Sequence, residues 1–124
     1  TEYEDVNNYS ITVRFVCGAR SFLFTGDIER EAEEDILESG QDISADVLKV
    51  PHHGSGTSVL KIFIQAVSPE YAVFSVGQAN EFGHPHANVV SLYEKLGINI
   101  LRTDMNGNIV FATDGSTLEV RCER

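Results

Sequence analysis

The sequence predicts an α/β fold, a mixed sheet with helices, for a single domain that spans residues 1–124. Short apolar and β-branched segments alternate along the chain with amphipathic segments. Glycine or proline ends most of these segments, and three strand-like segments follow the last helix-like one. A chain of 124 residues, 42% of them hydrophobic, is long enough to bury one core.

The first predicted elements are a hairpin and a helix. Residues 9–17 alternate and are rich in β-branched side chains, and residues 21–25 form a short apolar run, so both segments are predicted to be strands. Gly18 lies in the turn between them. Residues 28–39 carry apolar side chains at helical spacing, and Gly40 is a typical helix stop.

The rest of the chain continues the alternation. Pro51 ends an apolar strand, and Ser68 and Pro69 end a helix. The predicted order is ββαβαβαβββ, with hairpin turns at 105–107 and 114–115. The remaining predicted elements are strand 46–50, helix 58–67, strand 71–76, loop 77–88, helix 89–96 and strands 99–103, 108–113 and 117–122.

The acidic composition argues against non-specific binding of nucleic acid. The net charge is −10 and the pI is about 4.6, so the chain has no basic patch that could hold nucleic acid non-specifically by its phosphates. Residues 27–35 hold much of the acid and are predicted to form a solvated helix face.

No apolar run approaches the roughly 20 residues of a membrane span. Cys17 and Cys122 form no motif, and both free thiols and a single bridge are open.

Side chains that bind metals follow three of the predicted strands. All four histidines lie in two clusters, at 52–53 and 84–86, and Asp27 follows the strand at 21–25. Imidazole and carboxylate are ligands that borderline divalent metals prefer. Because the carboxyl ends of strands gather in one crevice of such sheets, the sequence predicts a metal site there.

Each candidate residue also has a structural interpretation. Asp27 is a favourable N-cap for the helix that follows, and the histidines at 52–53 could be exposed turn residues. His86 or Asn88 could cap the helix after the second cluster.

The two adjacent histidines are expected to have different roles. Side chains of neighbouring residues point apart, so one of His52 and His53 is expected to bind metal while the other contacts substrate or moves a proton. The HxH spacing of His84 and His86 also suits metal ligands. Further polar candidates are Asn80 in the long loop and Ser55, Thr57 and Ser58, which are predicted to cap the next helix.

Three blocks of sequence carry a resemblance to a known family. FTGDIEREAEEDIL, ADVLKVPHHGSGTS and SPEYAVFSVGQANEFGHPH resemble, in this order, the C-terminal half of a metallo-β-lactamase-fold domain. More narrowly, they are similar to the hydrolase-like domain of ComEC-type DNA-internalisation competence proteins. The similarity covers about residues 10–119.

The resemblance implies a fold, a chemistry and a setting. The fold is half of an αβ/βα sandwich whose complete domain binds one or two zinc or manganese ions and hydrolyses substrate with a metal-bound hydroxide. By position, Asp27 and His53 match metal ligands, and His52 and His84 match catalytic or substrate-contacting histidines. The setting is an extramembrane domain of a bacterial cell-membrane protein. Its partners are DNA and the transmembrane channel portion of the same protein.

One hallmark of that superfamily, an HxHxDH loop, is absent from this sequence. We therefore expect the 124 residues to be a fragment that is inactive alone and forms no stable dinuclear metal site by itself. Self-association as a homodimer is expected to cover the apolar surface that the other half would cover. Two alternatives are a metallohydrolase of a small phosphoester such as phosphorylcholine, and a non-catalytic partner-binding module of a DNA-uptake channel.

Overall fold

The chain folds as an α/β structure with a mixed sheet and helices, as the sequence predicts. The computed structural model describes residues 2–56 and 60–124. The strands are β1 (Val13–Cys17), β2 (Arg20–Phe24), β3 (Val47–Lys49), β4 (Tyr71–Phe74), β5 (Asn99–Arg102), β6 (Ile109–Thr113) and β7 (Leu118–Cys122). The helices are α1 (Arg30–Ser39), α2 (Lys61–Val67), α3 (Ala87–Lys95) and the short α4 (Thr103–Asn106).

The main sheet has five strands in the order β1-β2-β3-β4-β5. Strand β1 is antiparallel to β2, and β2 to β5 are parallel. The predicted first hairpin is therefore confirmed. Its turn requires Gly18, which has φ +58° and lies so close to Gly115 that an added Cβ would be 2.5 Å from that carbonyl oxygen.

The core lies between one face of the main sheet and helices α1, α2 and α3. Leu23, Leu48, Ala72 and Phe74 point from successive strands into this core and are almost completely buried. The helices contribute the rest of this apolar cluster, which includes Ile28, Ala32, Phe63, Ile64, Val67, Val89 and Tyr93. Because strands β2 to β5 run parallel, their carboxyl ends all lie at the same edge of the sheet.

The opposite face of the main sheet is only partly covered. The β6–β7 hairpin packs there, with Phe111 against Phe22 and Tyr71 at ring-centroid distances of 6.3 and 5.5 Å. Beside it, Val13 and Phe15 on the edge strand β1 remain about half exposed. The sheet therefore presents an apolar strip next to a free strand edge.

The predicted start of the first strand and the predicted hairpin turn at 105–107 are wrong. Residues 9–12 are not part of the first strand, because Val6–Tyr9 forms a 3-10 turn capped by the Asp5 carboxylate. The turn at 105–107 does not make a hairpin, because these residues lie in and after α4, and the chain then leaves the main sheet for the β6–β7 pair.

The predicted turn at 114–115 is confirmed, since it joins the antiparallel strands β6 and β7. Asp114 stabilises it by accepting hydrogen bonds from the backbone N–H groups of Ser116 and Thr117. Cys17 and Cys122 are free thiols. No helix in the described ranges combines the length and the apolar character needed to cross a lipid bilayer.

Candidate functional site

Asp27 lies in the loop after β2 and does not cap α1. The N-cap residue is Glu29, so the predicted structural role of Asp27 is wrong. Its backbone N–H donates to Ser10 Oγ at 3.2 Å, and the neighbouring Gly26 carbonyl accepts from the His52 N–H at 3.1 Å. These bonds tie Asp27 to the first histidine loop and leave its carboxylate free to face that loop.

The N-terminus of α1 is capped by a residue far away in sequence. Asn8 is buried, and its Oδ1 accepts from the backbone N–H groups of Glu29 at 2.8 Å and Ala32 at 3.3 Å. This side chain satisfies two donors that the first turn of a helix leaves without partners. The turn Val6–Tyr9 thus fixes where α1 begins and, with it, where the Asp27 loop lies.

The first histidine loop has an unusual backbone. His52 and His53 have φ of 50° and 55°, and Gly54 follows with φ +84°. Positive φ is uncommon for residues with a Cβ and persists where surrounding contacts enforce it. The two adjacent side chains diverge as predicted, with ring centroids 6.4 Å apart.

His53 faces Asp27. Its Nε2 lies 3.4 Å from Asp27 Oδ1, and its Nδ1 lies 2.7 Å from the carbonyl oxygen of Ser75, just after β4. A carbonyl oxygen can only accept, so Nδ1 carries a proton and the neutral ring presents an unprotonated Nε2 to the carboxylate. Two acceptors at this distance need a proton or a cation between them.

The Asp27–His53 pair fits a divalent metal. Zinc binds imidazole nitrogen and carboxylate oxygen at about 2.0–2.2 Å in a tetrahedron, which separates two ligand atoms by about 3.4 Å. The bond from Nδ1 to a backbone carbonyl is also the usual outer-shell partner of a metal-bound histidine. Within residues 2–56 and 60–124, however, no group of three or more His, Cys, Asp or Glu side chains is arranged to hold a metal ion.

His52 turns to a different carboxylate. Its Nδ1 lies 3.2 Å from Oε1 of Glu29, which is buried. Glu29 and Glu33 are both buried, so the prediction that residues 27–35 form a solvated face is wrong at these two positions. Glu29 is the functional candidate that sequence reasoning missed, because it lies inside an acidic run; its only signal is the spacing of two from Asp27.

The ring of His84 lies close to the rings of both histidines of the first loop. Its ring centroid is 5.7 Å from that of His52 and 6.3 Å from that of His53. Asn80 fixes it by accepting from the His84 N–H at 2.9 Å and donating to its carbonyl at 2.6 Å. Partial burial lowers the pKa of His84, the three other histidines lower it further, and Asp27 acts in the opposite direction. These effects together favour the neutral form of the imidazole.

The second loop packs closely on the first. The His86 N–H donates to the Gly54 carbonyl at 3.0 Å, and His86 occupies the N-cap position of α3 without a side-chain capping bond. The loops border a cavity of about 300 Å³. Its lining includes His53, Ser75, Asn80, Phe82, His84 and Thr103.

The strand ends bring together the residues predicted from the sequence. Asp27, His52, His53 and His84 converge at the carboxyl edge of the sheet, where the His53 ring faces Asp27 and the His52 ring faces Glu29. The predicted capping residues Thr57 and Ser58 lie outside the described part of the chain. Ser55 is buried, and its N–H donates to the His52 carbonyl.

Fold and site together define an α/β domain with a carboxylate–histidine cluster at the carboxyl edge of a mixed sheet. The chain is homologous to segments of curated competence proteins. It is 42% identical over 105 residues to ComE operon protein 3 of Bacillus subtilis, covering 85% of this chain and 14% of that protein. It is also 42% identical over 108 residues to competence protein ComA of Neisseria gonorrhoeae, covering 86% and 16%.

Recombination protein 2 of Haemophilus influenzae is a more distant relative, 31% identical over 103 residues that cover 83% of this chain and 13% of that protein. The chain thus spans about one seventh of the length of these relatives. No family model matches the chain.

Proposed function

We propose that the chain is part of a metal-dependent hydrolase-like domain in a bacterial DNA-uptake protein of the cell membrane. In this proposal the complete domain cleaves phosphodiester bonds of incoming DNA beside the transmembrane channel portion of the same protein. The competence proteins among its relatives support the setting. The five-stranded sheet with helices on one face is compatible with half of a metallo-β-lactamase-type sandwich.

The observation that carries the proposal is the Asp27–His53 pair. The 3.4 Å separation of Oδ1 and Nε2 suits two ligands of one zinc or manganese ion, and Ser75 holds the His53 ring in the tautomer that a metal requires. A bound divalent ion would supply a water molecule activated for attack at neutral pH.

Two further histidines have the positions for contacts with substrate. Glu29 orients the His52 ring through Nδ1, which directs Nε2 away from this carboxylate. The lowered pKa of His84 favours its neutral form, which can donate one hydrogen bond to a phosphate oxygen. Both rings lie within 6.5 Å of His53 by their centroids, at 6.4 and 6.3 Å.

The pair is an incomplete site. Catalytic zinc sites use three protein ligands and structural sites use four, whereas the described residues supply two. The missing ligands would come from another part of the parent protein or from a second copy of this chain. The apolar strip on β1, with Val13 and Phe15 about half exposed, favours such a covering partner.

The net charge of −10 favours a competing substrate class. An acidic domain repels a long polyanion more than it repels a small phosphoester, so hydrolysis of a small phosphoester is the second candidate. A non-catalytic partner-binding module is the third outcome. DNA nicking by the complete domain, compared with turnover of a small phosphoester, separates the three.

Calorimetric titration of the chain with zinc and with manganese tests the proposal. Asp27→Ala and His53→Ala should each lower the affinity at least tenfold, whereas Asp42→Ala, an exposed aspartate beside Arg14, should not change it. Equal affinity in all four proteins would overturn the metal assignment. Gel filtration with and without zinc then shows whether a second copy completes the site.

A further inference from the structure

Three aromatic rings form a nearly parallel series that leads from solvent to Asp27. Phe82 stacks on His84 with ring centroids 5.7 Å apart and planes inclined by 25°. His84 in turn lies 6.3 Å from His53 with an inclination of 18°. His53 is the ring that faces the Asp27 carboxylate.

The outer ring is both exposed and held in place. Phe82 is 68% exposed, although burial of a phenylalanine side chain is ordinarily favourable by about 1.5–3 kcal/mol. Its loop is fixed by Asn80, whose side chain bonds to the Gly77 carbonyl and to both backbone groups of His84. The loop therefore presents one free aromatic face at the mouth of the cavity that His53 and His84 line.

The charges around the cavity do not favour binding through phosphates. Arg102 is ion-paired with Asp104 at 2.6 Å, and Lys49 donates to the Val50 carbonyl at 3.4 Å while it interacts electrostatically with Asp27. A chain with a net charge of −10 needs an attraction to nucleic acid that does not depend on charge. Stacking of a base on an aromatic side chain provides one, and it is available only to an unpaired base.

We propose that Phe82 is a base-stacking platform that makes single-stranded nucleic acid the substrate class of this site. The inference rests on the proposed function, because it places the nucleobase next to the Asp27–His53 pair that would act on the phosphodiester. A base on the outer face of Phe82 extends the series of rings outward and leaves the phosphate on the side of His84 and His53.

The chain has no tryptophan, so Phe82→Trp introduces a single indole at the proposed platform, which can be excited selectively over the tyrosines. The variant is titrated, in saturating zinc, with a single-stranded oligonucleotide and with an abasic strand of the same length. The base-bearing strand should quench the indole and bind about tenfold more tightly than the abasic strand. Phe15→Trp, at a 54% exposed phenylalanine on β1, is the matched control and should show no quenching.

Phe82→Ala should remove the preference, so that the two strands bind with the same affinity. A parent chain that binds both strands equally in a zinc-dependent manner would overturn the stacking inference and leave the proposed function in place. Equal quenching by a blunt duplex would overturn the restriction to single strands. Binding that is absent, or that Asp27→Ala does not change, would overturn the proposed function and this inference with it.

Discussion

The ring of His86 accepts a hydrogen bond from the backbone N–H of Gly56 at 2.8 Å and so joins the two histidine loops. The donor is a backbone N–H, so Nδ1 is unprotonated and the proton of a neutral His86 lies on Nε2. His53 has the opposite arrangement, because its Nδ1 faces the Ser75 carbonyl. Backbone groups thus select different tautomers for two histidines of one site.

Removal of the His86 ring should loosen the contact between the loops. His86→Ala deprives the Gly56 N–H of its acceptor and should lower the free energy of unfolding by about 1 kcal/mol. His86→Asn can place an amide oxygen near the same N–H and is the matched control. Hydrogen exchange of the Gly56 amide should be faster in His86→Ala than in His86→Asn, and unchanged exchange in both would contradict the prediction.

Asn8 should be the most sensitive position of the N-terminal segment. Asn8→Ala leaves the N–H groups of Glu29 and Ala32 without their acceptor, and we expect a loss of about 1–2 kcal/mol in the free energy of unfolding. Asn7→Ala, in the same turn, keeps this cap and should cost much less. Urea unfolding of the two variants checks the difference, and equal losses would show that Asn8 does not act as a cap.

Glu33 should make stability depend on pH. Its side chain is completely buried, and this burial raises its pKa to about 8. The Leu60 N–H and Arg30 oppose this rise, and Glu34 adds to it. In the folded state the carboxyl keeps its proton, whereas the unfolded chain releases it above its ordinary value of 4.5.

Stability from this group is therefore complete below pH 4.5 and is lost as the pH rises to about 8. The loss by pH 7 is on the order of 3 kcal/mol. Glu33→Gln removes the titration and should flatten the profile of unfolding free energy between pH 5 and pH 8. The exposed Glu38→Gln, on the same helix, is the control, and a profile in Glu33→Gln as steep as that of the parent would refute the assignment.

Gly54 should tolerate no side chain. Its φ of +84° disfavours a Cβ, which would also lie 2.7 Å from Phe74 Cδ1 and from Pro85 Cβ. Strain and overpacking together should cost Gly54→Ala roughly 2–4 kcal/mol. Gly40→Ala has a similar φ of +72° but nothing within 4 Å, so it isolates the backbone contribution of about 1 kcal/mol. Thermal unfolding of both variants checks the difference.

The alternation of apolar strands and helices was sufficient to predict the main sheet and the convergence of its strand ends. Asp27, His53 and His84 could be found because each is a ligand-type residue that follows a strand. The cap from Asn8 could not be found, since a bond across 21 residues leaves no local pattern. The same holds for the Ser75 carbonyl that orients His53, because any residue at that position offers a backbone oxygen.

The separate β6–β7 pair shows a second limit of local sequence. Its strands have an ordinary alternating pattern, and only tertiary packing of Phe111 on Phe22 and Tyr71 decides that they leave the main sheet. The burial of Glu29 beside the site could not be predicted for a different reason. A glutamate in an acidic run is normally solvated, and its burial follows from the Asn8 cap and the nearby His52 ring.

The order of the five strands in the main sheet equals their order in the chain. Each strand from β2 onward can therefore dock on a neighbour that already exists, with a loop closure no longer than one helical crossover. Such a sheet can grow stepwise during synthesis, because no later strand has to insert between two strands that are already paired. The carboxyl-edge loops are then shaped in sequence, so that the Asp27 loop is in place before His53 arrives, and His53 before His84.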